Sequence, residues 1–131
     1  MQKRRGYGFT LVELMIVIVI VSILAAVGYP SYRQYVIKGN RSAAQGFMLQ
    51  IASREEQYLL DARTYANGAT ALATLGLTQP PETTGKYTFA ITSVSPTADY
   101  TITATAAGSQ ASDGNLALAS DGTKTPVDKW K

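Results

Sequence analysis

From Phe9 to Tyr29 the chain reads FTLVELMIVIVIVSILAAVGY, an apolar run interrupted by one charge, Glu13. A bilayer core of ~30 Å needs about 20 helical residues, so this run is long enough to span one. Pro30 follows it. Proline has no N–H, so the carbonyl of Ala26 loses its helical partner, and Gly28 loosens the same turn; a helix bends or ends at such a place. Helical spacing then resumes. Tyr32, Tyr35, Val36, Ala43, Phe47, Ile51 and Tyr58 recur at intervals of three, four and seven, flanked by Ala44, Met48, Ala52 and Leu59. Asn40, Arg41, Ser53, Arg54 and Gln57 fall on the other side. The pattern predicts an amphipathic helix over 31–60 with one face on a domain. If continuous from Phe9 to Leu60, that helix is about 78 Å long at ~1.5 Å per residue, a spine that a lone globular domain has no use for.

Periodicity weakens between 61 and 84, where Gly, Thr, Asn and Pro accumulate and Pro80-Pro81 closes the stretch. Leu72, Leu75 and Leu77 predict a short helical turn or packed loop inside it. Strand-like alternation follows in Tyr87, Phe89 and Ile91, in Tyr100 and Ile102, and in Leu116 and Leu118. Pro96 to Asp99 and Gly108 to Gly114 supply turns, and Asp121-Gly122 reads as a hairpin turn. The expected fold class is therefore α+β: a long N-terminal helix, half transmembrane and half amphipathic, packed against a small antiparallel sheet. The expected organisation is a leader over 1–8, a membrane helix over 9–30 and an extracytoplasmic head over 31–131. Within the head, the helix 31–60 precedes a loop over 61–84 and a sheet with a C-terminal loop over 85–131.

Composition removes several chemistries. The 131 residues contain neither Cys nor His, which excludes disulfides, thiol nucleophiles, Cys/His zinc sites and imidazole bases. No constellation of base, nucleophile and orienting group stands out, so the chain is not read as an enzyme, and no cofactor or metal is expected. Asp99, Asp113 and Asp121 do not have the spacing of a calcium loop, and turn chemistry accounts for them better. The net charge of +3 comes from Lys3, Arg4 and Arg5; beyond Gly8, nine basic side chains balance nine acidic ones. By the positive-inside rule those three residues hold the N-terminus in the cytoplasm and send everything after Pro30 across the membrane. The neutral body lends no electrostatic support to DNA binding. Arg33, Lys38 and Arg41 cluster just after the span. Contact with neighbouring subunits or lipid headgroups and a simple solvated helix face account for them equally well.

Glu13 is the informative residue. A carboxylate within a membrane helix costs something like 2.5–3.5 kcal/mol and usually marks function. It stands one helical turn after Phe9. A cut between Gly8 and Phe9 would create an α-ammonium beside it, so the costly charge gains a partner that exists only after processing. A conventional secretory signal cleaved near Ala26-Val27-Gly28 is the competing reading, but its apolar region is usually ~7–15 residues and carries no carboxylate.

Gly8-Phe9-Thr10-Leu11-Val12-Glu13, after a short basic leader and before an apolar run, resembles the class III signal of type IV prepilins and pseudopilins. The resemblance implies cleavage after Gly8 by a prepilin peptidase, methylation of the Phe9 amine, and a role for Glu13 in assembly against neighbouring pilin subunits. It implies flexibility of the helix at Gly28 and Pro30 within the filament. It also implies a single-pass precursor in the inner membrane that passes to an extracellular pilus through the assembly platform.

The C-terminal stretch Gly114-Asn115-Leu116-Ala117-Leu118, then Gly122, then Asp128-Lys129-Trp130, is similar to the tail of PilE-like minor pilins. Relatives carry a disulfide there, and this chain has Asp113 and Lys129 at the corresponding places. The expectation is an Asp113–Lys129 ion pair, with Trp130 as the alternative anchor of the C-terminal loop. The functional expectation is a minor pilin supporting pilus assembly, adhesion and twitching motility. A major pilin, a type II secretion pseudopilin and a signal-anchored periplasmic binding domain are the alternatives. Some pilins also serve DNA uptake.

Overall fold

The computed structural model describes residues 8–93 and 98–130. The chain divides between Val36 and Ile37 into two compact units. Helix α1 runs over Leu11–Ala62, with Pro30 inside it.

In the first unit, every described residue from Gly8 to Val36 is exposed. This part of α1 is long and apolar enough to cross a membrane. Ser22 and Ser31 return their hydroxyls to the carbonyls of Ile18 (2.7 Å) and Val27 (3.4 Å). Such bonds keep a polar side chain satisfied within the helix itself. Tyr32, Tyr35 and Val36, expected on the packed face, are exposed instead.

The second unit is the head. Its part of α1 buries Asn40, Ala44, Phe47, Met48, Ile51 and Glu55. The seam Arg41, Ala44, Met48, Ile51, Glu55 alternates by three and four, so the face is an ordinary helical stripe with polar ends. Asn40 and Arg41 were expected on the solvated side, and the structure turns both toward the head. A short helix α2, Ala71–Thr74, seats Leu75 and Leu77 in the core. Pro81 then opens a 3₁₀ turn over Pro81–Thr83.

Four antiparallel strands follow in sequence order: β1 Tyr87–Thr92, β2 Thr101–Ala106, β3 Leu116–Ala119 and β4 Lys124–Thr125. A 3₁₀ segment, Gly108–Asp113, connects β2 to β3. The last hairpin turns at Gly122 (φ 86°), where glycine meets no penalty, and Asp121 Oδ1 accepts the Thr123 N–H at 2.8 Å. Tyr87, Ile91, Ile102, Ala104, Leu116 and Leu118 line the inner face of the sheet and are buried. Phe89 meets Phe47 of α1 edge-on at 4.9 Å between ring centroids. Tyr65, from the segment after α1, meets Tyr100 edge-on at 4.7 Å. The fold class is the α+β arrangement expected from the sequence, a long N-terminal helix with a small antiparallel sheet.

Candidate functional site

Gly8, Phe9, Glu13, Gly28 and Pro30 belong to the first unit; Asp113, Lys129 and Trp130 belong to the second. Each group forms its own arrangement.

At the start of α1 the backbone N–H and the hydroxyl of Thr10 both reach Glu13 Oε2 at 3.4 Å. The Glu13 N–H donates back to Thr10 Oγ1 at 3.2 Å. This reciprocal pair is a capping box, which satisfies two N–H groups that a helix start otherwise leaves without partners. The spacing Thr10-x-x-Glu13 carries the signal for it, and it was missed because Glu13 was weighed only against Phe9. The side chain of Glu13 is thereby held at the N-terminal end of the helix. Phe9, directly before this box, is 80% exposed. Gly28 and Pro30 sit within α1, and a Cβ at Gly28 would meet nothing within 4 Å.

In the head, the 3₁₀ segment Gly108–Asp113 ends with the Asp113 carboxylate pointing inward, its side chain 4% exposed. The Arg41 guanidinium grips both of its oxygens: Nε donates to Oδ2 at 2.8 Å, and Nη2 donates to Oδ1. Tyr87 Oη donates to Oδ2 at 2.9 Å and Gln110 Nε2 does so at 3.1 Å. Burial alone pushes the Asp113 carboxyl up; the bonds from Arg41, Tyr87 and Gln110 outweigh it and hold the group below the usual carboxylate range. Burial, and then the bond to Asp113, push the Tyr87 phenol up to about 12.

The network extends further. Gln110 Nε2 also reaches the Ile37 carbonyl at 2.9 Å, and its Oε1 accepts from Asn40 Nδ2 at 3.1 Å. Lys86 Nζ closes it on Asn40 Oδ1 at 2.9 Å. Helix, sheet and the 3₁₀ segment are thus joined through charged and amide groups.

The expected Asp113–Lys129 pair is not formed, and this corrects the reading from sequence. The acceptor capacity of Asp113 is taken by Arg41 of α1, Tyr87 of β1 and Gln110, whereas Lys129 Nζ stands 3.2 Å from where a Cβ on Gly114 would lie. Gly114 (φ 78°) therefore leaves room for that lysine as well as for its own backbone. The C-terminal loop is fastened by other atoms: Gln45 Nε2 donates to the Lys129 carbonyl at 2.7 Å. Trp130 is half-buried against the core, and its Nε1 donates to the Thr125 carbonyl at 3.3 Å. Lys124 Nζ lies 5.3 Å from the centre of the Trp130 ring, within cation–π reach. Arg41, Gln45, Tyr87 and Gln110 were not expected here. The seam spacing that places Arg41 in line with Ala44 and Met48 was the available signal.

A second buried carboxyl fastens the segment after α1. Glu55 is fully buried; its Oε2 accepts the Ala66 N–H at 2.9 Å, and its Oε1 has no partner among the described residues. Burial pushes this acid up. Next to it, Glu56 Oε1 accepts from the hydroxyls of Tyr65 and Tyr100, both at 3.4 Å.

Comparison with known proteins agrees with this architecture. A family model described as "Type IV minor pilin ComP, DNA uptake sequence receptor" matches residues 30–117. A second, the prokaryotic N-terminal methylation motif, matches residues 3–29. The chain is 36% identical over 92 residues to the type IV wide pilus major component PilA4 of Thermus thermophilus, covering 70% of this chain and 68% of that protein. It is 41% identical over 85 residues to the type IV major pilin protein PilE1 of Neisseria gonorrhoeae, covering 61% and 47%. It is 36% identical over 75 residues to the type II secretion system core protein G of Pseudomonas aeruginosa, covering 57% and 53%. The chain thus spans about half the length of the last two. Among solved structures, a type IV pilin from Shewanella oneidensis superposes with a TM-score of 0.53 at 22% identity, covering 70% of this chain and 92% of that one.

Proposed function

This chain belongs to the type IV pilin family, and from that premise we propose that it is a minor subunit of a type IV pilus. As a member of that family it is a structural subunit and not an enzyme, made as a membrane-anchored precursor bearing the methylation motif. The observation that carries the finer reading is the match of residues 30–117 to a minor-pilin model. The roles of adhesion, assembly and twitching motility go with that reading.

Assembly follows from the N-terminal geometry. Glu13 is held at the helix start by Thr10, one turn from Phe9. Cleavage after Gly8 by the prepilin peptidase creates an ammonium on Phe9, and a carboxylate held at this end of a subunit can meet the ammonium of its neighbour in an apolar filament core. The basic residues Lys3, Arg4 and Arg5 keep the leader in the cytoplasm until then. Gly28 and Pro30, where proline offers the Ala26 carbonyl no N–H, give the helix a place to stretch as subunits pack. The test is to complement a deletion strain with the wild type or Glu13→Ala and to quantify the subunit in sheared filaments. The expected result is a trace component that disappears with Glu13→Ala while the processed precursor stays in the membrane. A dominant component would make it a major pilin, and unaltered incorporation of the variant would remove Glu13 from assembly.

A second reading, contact with DNA, is favoured by the description of the matching family model. Lys124 and Trp130 bring together a cation and an aromatic ring, the two kinds of side chain that single-strand binding combines. Retention of duplex and single-stranded DNA by the full chain, lost on Lys124→Ala with Trp130→Ala, would support it. Retention by neither would remove it.

A further inference from the structure

Where α1 ends, the chain turns back toward the sheet. Arg63 takes a left-handed backbone (φ 56°), a conformation that favours glycine, and its N–H closes the helix on the Leu59 carbonyl at 2.9 Å. The strap that follows, 63–68, carries Tyr65 and Ala66 into the core. Its backbone is tied down at two places. The Gly68 N–H donates to the Ile91 carbonyl of β1 at 3.1 Å, and the Ala66 N–H donates to Glu55 Oε2 at 2.9 Å. The second tie is made to a titratable atom.

Glu55 is a poor place to keep a charge. It is fully buried, and the oxygen not bonded to Ala66 meets neither donor nor acceptor among the described residues. No ion pair reaches it there either. The titratable groups that face it are all acids: Glu56 on its own helix, Tyr65 from the strap and Tyr100 from β2. Both phenols donate to Glu56 Oε1, so neither relieves Glu55. Helix α2 brings no titratable side chain. Arg54, Asp61 and Arg63, the other charges nearby in sequence, are exposed. Burial pushes the Glu55 carboxyl up, the Ala66 bond draws it back, and the Glu56 charge pushes it up again; the net direction is upward. The two phenols are pushed up as well, by burial first and then by Glu56, so they stay neutral where Glu55 changes.

We propose that Glu55 is a pH-operated latch on the strap 63–68: protonated, it lets the strap lie closed on the head, and ionised, it loosens the strap so that Tyr65 and Ala66 open to water while the sheet stays folded. In the closed strap an ionised Glu55 has one N–H and no water, whereas opening hydrates both of its oxygens. Linkage gives the sign. The closed form holds the proton better than the open form, so closure is strongest below the open-state value near 4.5. It then weakens by up to about tenfold per pH unit until the pH passes the raised closed-state value. Opening also parts the edge-on pair of Tyr65 and Tyr100. The latch rests on the head alone and holds whether the subunit is minor or major.

Hydrogen exchange of the full chain in detergent, read by mass spectrometry and corrected for the intrinsic rate at each pH, tests this. Between about pH 5 and pH 8 the protection of the wild-type strap should fall by about threefold or more, while Ile102 and Ala104 of β2 keep theirs. Glu55→Gln keeps an oxygen for the Ala66 N–H and carries no charge, so its strap should be equally protected at both ends of the range. Glu55→Met, apolar and of similar length, is the second variant should the first misfold; its strap should be less protected throughout, again without change with pH. Wild-type strap protection that does not vary with pH would overturn the proposal. So would a fall of the same size in either variant, which would assign it to another group. An equal fall in β2 would overturn it too, because the whole head would then be opening and not the strap.

Discussion

Replacing Arg41 by Ala removes the guanidinium that grips both oxygens of Asp113, a carboxylate whose side chain is only 4% exposed. Breaking a buried pair by deleting one partner costs ~3–5 kcal/mol, because the other charge is left behind. Two features pull the figure down. Arg41 is 21% exposed, and Asp113 keeps the donors Tyr87 and Gln110. The expected cost of Arg41→Ala is thus about 2–4 kcal/mol. Asp113→Ala should fall in the same range, since it leaves the Tyr87 hydroxyl without its acceptor and strands the arginine. Lys129→Ala, a half-exposed lysine outside the network, should cost under about 0.5 kcal/mol. Trp130 is the only tryptophan and sits in the loop concerned, so its fluorescence reports denaturant unfolding of the full chain in detergent. A double-mutant cycle should give a coupling above about 1.5 kcal/mol for Arg41 with Asp113 and near zero for Asp113 with Lys129. The reverse ordering of those couplings would refute the assignment and restore the pair expected from the sequence.

Three further outcomes follow from the same geometry. Asp113 is held below its unfolded value, so its contribution is present above pH ~4 and is lost as pH falls through its folded value; Tyr87→Phe removes one donor, moves the acid unfolding limb to higher pH and costs about 1 kcal/mol at neutrality, read by circular dichroism. Glu55 is shifted the other way, so its contribution is largest below the unfolded value near 4.5 and declines as pH rises through its raised folded value. Glu55→Gln should flatten that decline and match or exceed the wild type at pH 7, and a variant that loses stability uniformly with pH would contradict this. Trp130→Ala, at a half-buried ring whose Nε1 bonds the Thr125 carbonyl, should cost about 1.5–2.5 kcal/mol and speed proteolysis of the C-terminal loop; unchanged proteolysis would leave Gln45 as the main fastening.

Much of this fold was legible because its signals are local. The apolar run, the strand alternation of Tyr87, Phe89 and Ile91, and the turn at Asp121-Gly122 each depend on neighbours in sequence. Pro30 lies inside α1, because a proline's missing N–H and ring penalise one turn without forbidding the helix around it. Tyr32 and Tyr35 were drawn into the packed face by spacing, which finds stripes but not where the cover over a stripe begins. The first buried head position on α1 is Asn40. Asp113 was assigned to Lys129 because the two stand where relatives carry a disulfide, whereas its partner Arg41 lies in α1. An Arg read as one of three exposed cations gives no hint of a partner so distant in sequence. Spacing by three and four from Arg41 to Glu55 held that hint, since a charged residue in line with core positions must find a buried partner. The capping box of Thr10 and Glu13 was equally readable, and here two signals overlapped on one residue.

Intact-protein mass spectrometry of the native protein, taken from sheared surface filaments and from the membrane fraction, tests the central claim most directly. The account predicts a chain beginning at a methylated Phe9 in the filaments, with uncleaved precursor confined to the membrane. A chain beginning near Tyr29 would contradict it, because the helix bearing Glu13 would then have been discarded and could not hold a filament together.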